Sequence, residues 1–191
     1  VAAIGQKNIK RLLAYSSISH MGYAIAGIST GTESGFKSTI IYILIYSAMN
    51  IGFFAFVFLM KRSGKYIEDI NELSGISKNH PLAALSLLIV LFSLAGIPPL
   101  AGFFAKFYIF MSVIESGMYA LAIIGLVTTV VSAFYYIRIV KVMYFDSPKK
   151  PFESFKSYGI YGSLIFSCLF LSSFFMYPSI FNGIISKINI F

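Results

Sequence analysis

The chain has 191 residues, of which 58% are hydrophobic and 12% charged, with a formal net charge of +8 and a mean hydropathy of +0.82. This composition excludes a soluble globular domain, and one cysteine, Cys168, excludes an internal disulfide. Two histidines and seven acidic residues leave little for a hydrolytic site and supply no ligand set for a metal, haem, an iron–sulfur cluster or flavin. The positive residues lie in polar segments between apolar runs, which is a membrane-topology signal; a lipid bilayer is the expected partner, and nucleic acid is not.

The expected architecture is an all-α, polytopic transmembrane helix bundle of about five segments, at roughly 12–30, 39–60, 81–114, 118–137 and 158–181. The chain begins without an initiator Met or a signal-peptide pattern, so it is expected to be the later part of a longer protein. The first segment follows Lys7, Lys10 and Arg11 and ends at the polar turn 29–35, and the second ends at Lys61 and Arg62. The middle of the linker 61–80 has the makings of a short surface helix. The linker 146–151 is polar, broken by Pro148 and Pro151, and reads as a loop.

The third segment differs from the others. If continuous, a helix of ~33 residues would reach ~50 Å, against a hydrocarbon core of ~30 Å. Pro98 and Pro99 delete two backbone donors inside it, and Gly96 and Gly102 flank them. A break is therefore expected near Gly96–Gly102. Lys106 follows the break at roughly mid-bilayer depth, where a charge costs about 2.5–3.5 kcal/mol on insertion scales. Residues that costly mark ion paths, and broken helices at membrane depth line protein interiors or wet cavities. The alternative is a packing kink with a snorkelling lysine, but Lys106 has apolar residues on one side and the break on the other. A buried amine beside freed carbonyls suits a gated proton site.

Sorting the basic residues by side supports the segment count. Lys7, Lys10, Arg11, Lys61, Arg62, Lys65, Lys78, Arg138, Lys141, Lys149, Lys150 and Lys156 fall on one face, and only Lys37 and Lys187 on the other. That asymmetry predicts a cytoplasmic or matrix-side N-terminal flank and a C-terminus outside. The acidic residues lie outside the segments or at an end, as Glu115 does, so Lys106 has no evident carboxylate partner.

Polar residues within the segments fall in rows. Ser16, His20, Tyr23 and Gly27 share one face of the first; Tyr42, Tyr46 and Asn50 stack in the second; Thr128, Ser132 and Tyr135 in the fourth. Interhelical hydrogen bonding explains such rows, at about 0.6 kcal/mol per bond. The sharper reading is a proton wire to Lys106, with His20 as a candidate relay. Lys10 is either an interfacial anchor or a candidate channel mouth.

Two stretches carry a family resemblance. Gln6-Lys7-Asn8-Ile9-Lys10-Arg11-Leu12-Leu13-Ala14-Tyr15-Ser16-Ser17-Ile18-Ser19-His20-Met21-Gly22-Tyr23 resembles the signature of the antiporter-like subunits of respiratory complex I (NADH–quinone oxidoreductase). Leu94-Ala95-Gly96-Ile97-Pro98-Pro99-Leu100-Ala101-Gly102-Phe103-Phe104-Ala105-Lys106-Phe107 resembles that family's second broken helix, whose lysine faces a central hydrophilic axis. The resemblance implies the last five of the family's usual fourteen spans, with Lys106 as proton carrier. It implies a non-redox subunit of a proton-translocating NADH:quinone reductase, with NADH, FMN, iron–sulfur clusters and quinone handled by other subunits. Its partners would be other membrane subunits of complex I, in a bacterial inner membrane or the mitochondrial one. A subunit of an Mrp-type sodium/proton antiporter and a structural spacer are the alternatives.

Overall fold

The computed structural model describes residues 2–153 and 157–176. They form a bundle of long helices: α1 (Ile9–Ser29), α2 (Glu33–Leu59), the short α3 (Ile76–Asn79), α4 (Pro81–Ala95), α5 (Ala101–Glu115), α6 (Tyr119–Phe145) and α7 (Tyr158–Met176). α2 and α6, 27 residues each, are long and apolar enough to cross a membrane alone. α4 and α5 have 15 residues each, ~22 Å at 1.5 Å per residue, so only together do they match a bilayer. α2 is central and packs on α1, α4, α5 and α7, whereas α6 lies at the edge and exposes Ile123, Val127, Val130 and Phe134.

Side-chain caps set the helix starts. Asn8 accepts from the amides of Lys10 and Arg11, so α1 begins at Ile9, three residues before the expected segment. Thr32 caps the amide of Gly35 and starts α2 at Glu33, six residues early. α6 runs on to Phe145, eight residues past the expected end, because Arg138 and Lys141 stay helical. Arg138 Nη1 reaches back to the carbonyl of Ile4 at 2.8 Å, and Lys141 pairs with Asp146 at 2.5 Å. The end of the fifth expected segment, together with Lys156 and Lys187, lies outside the described residues.

The segments carrying the basic residues meet at one end of the bundle. Asn8 bridges Asp69, Arg62 pairs with Glu72 at 2.7 Å, and Lys149 reaches the same carboxylate at 2.7 Å. The Gly75 amide donates to Val142 O and the Glu153 amide to Lys61 O. The middle of the linker 61–80 does form a short helix, of the 3-10 type and with its apolar side buried. The linker as a whole is a two-residue antiparallel pair (Lys61–Arg62 with Lys65–Tyr66), this 3-10 turn (Ile70–Leu73) and α3, anchored by buried Ile70, Leu73 and Ile76. The turns between α1 and α2 and between α5 and α6 lie together at the opposite end, where Ser29 meets Met118.

Hydrogen bonds from Lys149 and then Arg62 hold the Glu72 carboxyl below its ordinary value of 4.5. A carboxyl lowered in the folded state stabilises above its unfolded value, and that contribution is lost as pH falls through the lower folded value. Hydrogen exchange in 61–80 and 146–153, corrected for intrinsic rates, is expected to be constant above about pH 5 and to accelerate below about pH 4. Glu72→Gln is expected to show the fast exchange already at neutral pH.

Candidate functional site: a buried lysine at a broken helix

The site begins with what two prolines leave undone. In a continuous helix the carbonyls of Leu94 and Ala95 would accept from the amides four residues on. Those positions are Pro98 and Pro99, which have no amide hydrogen. α4 therefore ends at Ala95, and Gly96, at φ 82°, turns the chain away; its amide and that of Ile97 close onto Phe92 and Ser93. The Leu94 and Ala95 carbonyls remain open at the negative end of the α4 dipole.

Lys106 fills them. Its Nζ donates to Leu94 O at 3.0 Å and Ala95 O at 3.1 Å, with 4% of the residue exposed. Gly96 makes the space: a Cβ there would stand 3.0 Å from Lys106 Cδ and 3.2 Å from its Nζ. The other side of the break is closed by Ser93, whose Oγ accepts from the Gly102 amide at 3.0 Å. This satisfies one of the amides exposed at the start of α5, where Leu100 offers no cap. A Cβ on Gly102 would fall onto the Ser93 carbonyl, so the halves meet only because this residue is glycine. The ring of Tyr23 lies 5.3 Å from Nζ, in cation–π range. Among the described residues no carboxylate pairs with Lys106.

Beside Tyr23 runs a chain of polar side chains drawn from α1, α2 and α6. His20, 1% exposed, contacts the Tyr42 hydroxyl through Nδ1 at 2.7 Å and the Tyr136 hydroxyl through Nε2 at 3.3 Å. The Tyr136 hydroxyl is bonded in turn to Ser16. Tyr46 stacks on the imidazole at 4.6 Å and donates to Ser17 at 2.8 Å. Tyr23 also meets His20 edge-on at 6.2 Å, and its hydroxyl lies 3.2 Å from Thr128 Oγ1 and 2.9 Å from Thr129 Oγ1. With a hydroxyl on each nitrogen, the imidazole can hold a proton at either and exchange donor and acceptor roles without losing a partner.

The structure brings Lys106, His20, Tyr23, Ser16 and Tyr46 into one cluster, with Gly96, Pro98, Pro99 and Gly102 as its frame. Lys10 and Asn50 stand apart, and Ser132 and Gly27 are peripheral. Lys10 is in the first turn of α1, its side chain 44% exposed and ion-paired with Glu68 at 2.7 Å, away from the helix face that carries Ser16 and His20. Asn50 is half-buried and forms no side-chain hydrogen bond among the described residues. Ser132 is buried, donates to Thr129 O at 2.7 Å within α6, and reaches the cluster only through the Tyr135 side chain, which also contacts Ser16 and Tyr136. Gly27 admits Thr39 and Ile109 at close quarters and is a packing position. Sequence reading missed Ser93 and Tyr136. Nothing in the local pattern marks Ser93, whereas Tyr136 adjoins Tyr135, and only the rotation of α6 decides which one meets His20.

Three outcomes test this geometry. Ser93→Ala leaves the buried Gly102 amide without its acceptor and is expected to cost about 1–3 kcal/mol, read from denaturant unfolding of the solubilised protein. Pro98→Ala with Pro99→Ala returns the missing amides; a structure of the double variant is expected to show a straightened crossing with Lys106 Nζ displaced from Leu94 and Ala95. Tyr136→Phe removes the hydroxyl between Ser16 and His20 and is expected to shift the ¹⁵N resonance of His20 Nε2, which loses its partner, with the helices unmoved.

Residues 1–132 match the family model described as NADH:quinone oxidoreductase/Mrp antiporter, TM. The chain is 57% identical over 190 residues to "NADH-quinone oxidoreductase subunit N" of Pelagibacter ubique, covering 100% of this chain and 40% of that relative. The chain thus spans less than half the length of that relative. Among solved structures, a chain of respiratory complex I from Thermus thermophilus with bound aureothin superposes with a TM-score of 0.77 at 29% identity, over 95% of this chain and 41% of that one. A chain of the Mrp complex from Dietzia sp. DQ12-45-1b superposes with a TM-score of 0.70 at 27% identity, over 77% of this chain and 27% of that one. The resemblance carried by 6–23 and 94–107 thus extends across most of the sequence, and the chain belongs to the NADH:quinone oxidoreductase/Mrp antiporter transmembrane family.

Proposed function

We propose that this chain is the C-terminal part of a subunit-N-type, proton-translocating membrane subunit of NADH–quinone oxidoreductase, and that Lys106 carries the proton. The observation that carries the reading is the Lys106 amine inside the bundle, held by two carbonyls that the helix break leaves open. An ammonium has three donors and a neutral amine two. The two carbonyls engage two donors in either state, so the third proton can leave and return while the side chain keeps its place. No carboxylate among the described residues pins the charge. The His20–Tyr136–Ser16 chain, on the side facing the basic segments, offers an input, and release goes to the opposite face.

The chain's own residues bind, orient and move protons, and the redox steps belong to other subunits. Its partners would be further membrane subunits of a complex I in a bacterial inner membrane. The basic end of the bundle would lie on the cytoplasmic side, in keeping with the positive-inside rule. The match to an Mrp complex favours a second reading, a cation/proton antiporter subunit, over a shorter share of the chain, 77% against 95%.

In the full protein, Lys106→Ala is expected to leave assembly and NADH:quinone turnover measurable and to cut the protons moved per electron pair. Unchanged stoichiometry would show the lysine to be structural. A sodium gradient formed without any NADH:quinone activity would decide for the antiporter.

A further inference from the structure

A second polar pair lies further along α5, outside the cluster around His20. Ser38 of α2 and Ser112 of α5 are 4% and 2% exposed, and their hydroxyl oxygens are 3.3 Å apart. Each hydroxyl also donates within its own helix, Ser38 to Gly35 O at 2.9 Å and Ser112 to Ile109 O at 2.8 Å. A hydroxyl can rotate from such a carbonyl to its neighbour while accepting from a third group, so the pair can pass a proton between helices. The two serines line the buried end of a half-open cavity of about 240 Å³, whose walls include Lys37, Tyr108 and Glu115. At ~30 Å³ per water molecule the cavity has room for several waters. Its lining reaches Ser34, Lys37 and Glu115, at the end of the bundle opposite the basic segments, where Glu115 is exposed and Lys37 pairs with Glu33 at 2.6 Å.

Between this pair and Lys106 stands Ile109, three residues from each along α5 and 0% exposed. Its Cδ1 packs into the space left by Gly27, where a Cβ would stand 2.7 Å away. Thr39 closes the same spot with its hydroxyl, whose one hydrogen is shared between Gly35 O at 2.8 Å and Ala24 O at 3.2 Å. The layer of Ile109, Gly27 and Thr39 is tightly packed. An apolar constriction of this kind interrupts a water file by dewetting.

We infer that the cavity is a water entrance from the side opposite the basic segments, that Ser38 and Ser112 form its inner end, and that Ile109 is a hydrophobic plug closing it toward the bundle interior at Lys106. The inference rests on the reading of Lys106 as a proton carrier, to which it adds the gate. A protein with two access routes to one amine must keep one of them shut, or the gradient collapses through the site.

The test uses the full-length protein in its assembled complex, in sealed membrane vesicles of both orientations, with Cys168→Ala as background. Ser112→Cys is expected to be modified by a charged, membrane-impermeant methanethiosulfonate added on the side opposite the basic segments, and to be silent from the other. Silence from both sides, or modification from the basic side alone, overturns the entrance. Ile109→Ser is expected to raise the passive proton leak several-fold, with Ile109→Leu close to the parent; a leak unchanged by Ile109→Ser in correctly assembled complex overturns the plug. Adding Lys106→Ala to Ile109→Ser separates the two proposals. Loss of the leak places Lys106 on the route and supports both, whereas a persisting leak supports the entrance and plug but removes Lys106 from the path and overturns the proposed function.

Discussion

Two missing amide hydrogens organise this protein. Pro98 and Pro99 cannot donate to the carbonyls four residues before them, and those carbonyls, Leu94 and Ala95, are the ones that Lys106 occupies. An unsatisfied carbonyl in an apolar interior and a lysine without a partner would each cost several kcal/mol. Placed together they satisfy one another, with the negative end of the α4 dipole contributing in the same direction. The break and the buried charge are one structural solution.

The rest of the bundle serves that arrangement. Ser93 and Gly102 tie the two half-helices together, so the break is a fixed joint. Gly96 supplies both a left-handed turn and room for the lysine head. α2, packed on α1, α4, α5 and α7, sets the distances between His20, Tyr42 and the break. At the basic end, Glu72 gathers Arg62 and Lys149 from separate linkers, and Glu68 accepts from Lys10 and Asn8 at 2.7 Å each. Lys10's hydrogen bond, and then that of Asn8, lowers the Glu68 carboxyl below its ordinary value. These contacts stand in water and are individually weak. Their effect is to hold the ends of α1, α2 and α6 in register.

Polar groups in the helices differ in what they reach, and some, such as Ser38 with Ser112 and Ser167 with Ala48 O, join two helices away from His20. Ser132, like the less buried Ser86 and Ser47, turns its hydroxyl back to a carbonyl of its own helix. Ser16, His20, Tyr23, Tyr42, Tyr46 and Tyr136 reach across helices, and their contacts converge on one imidazole. Interhelical bonds of this kind also hold the bundle together. Convergence on a titratable ring beside a buried amine is the observation on which the proposed proton route rests.

The sequence by itself determined the all-helical class, the break and the identity of the buried charge, because each follows from local chemistry: apolar run length, the lack of an amide in proline, and the cost of an ammonium in hydrocarbon. It also determined that Ser16, His20 and Tyr23 share a face, since helical periodicity is local. Only the tertiary structure decided what those faces meet. Tyr136 rather than Tyr135 met His20 through the rotation of α6 about its axis, and Lys10 turned to Glu68, 58 residues on, through the folding of a linker. Ser93 became a cap through a bond that spans nine residues across a break. Periodicity places a residue on a helix, but which neighbour it touches depends on how helices distant in sequence pack.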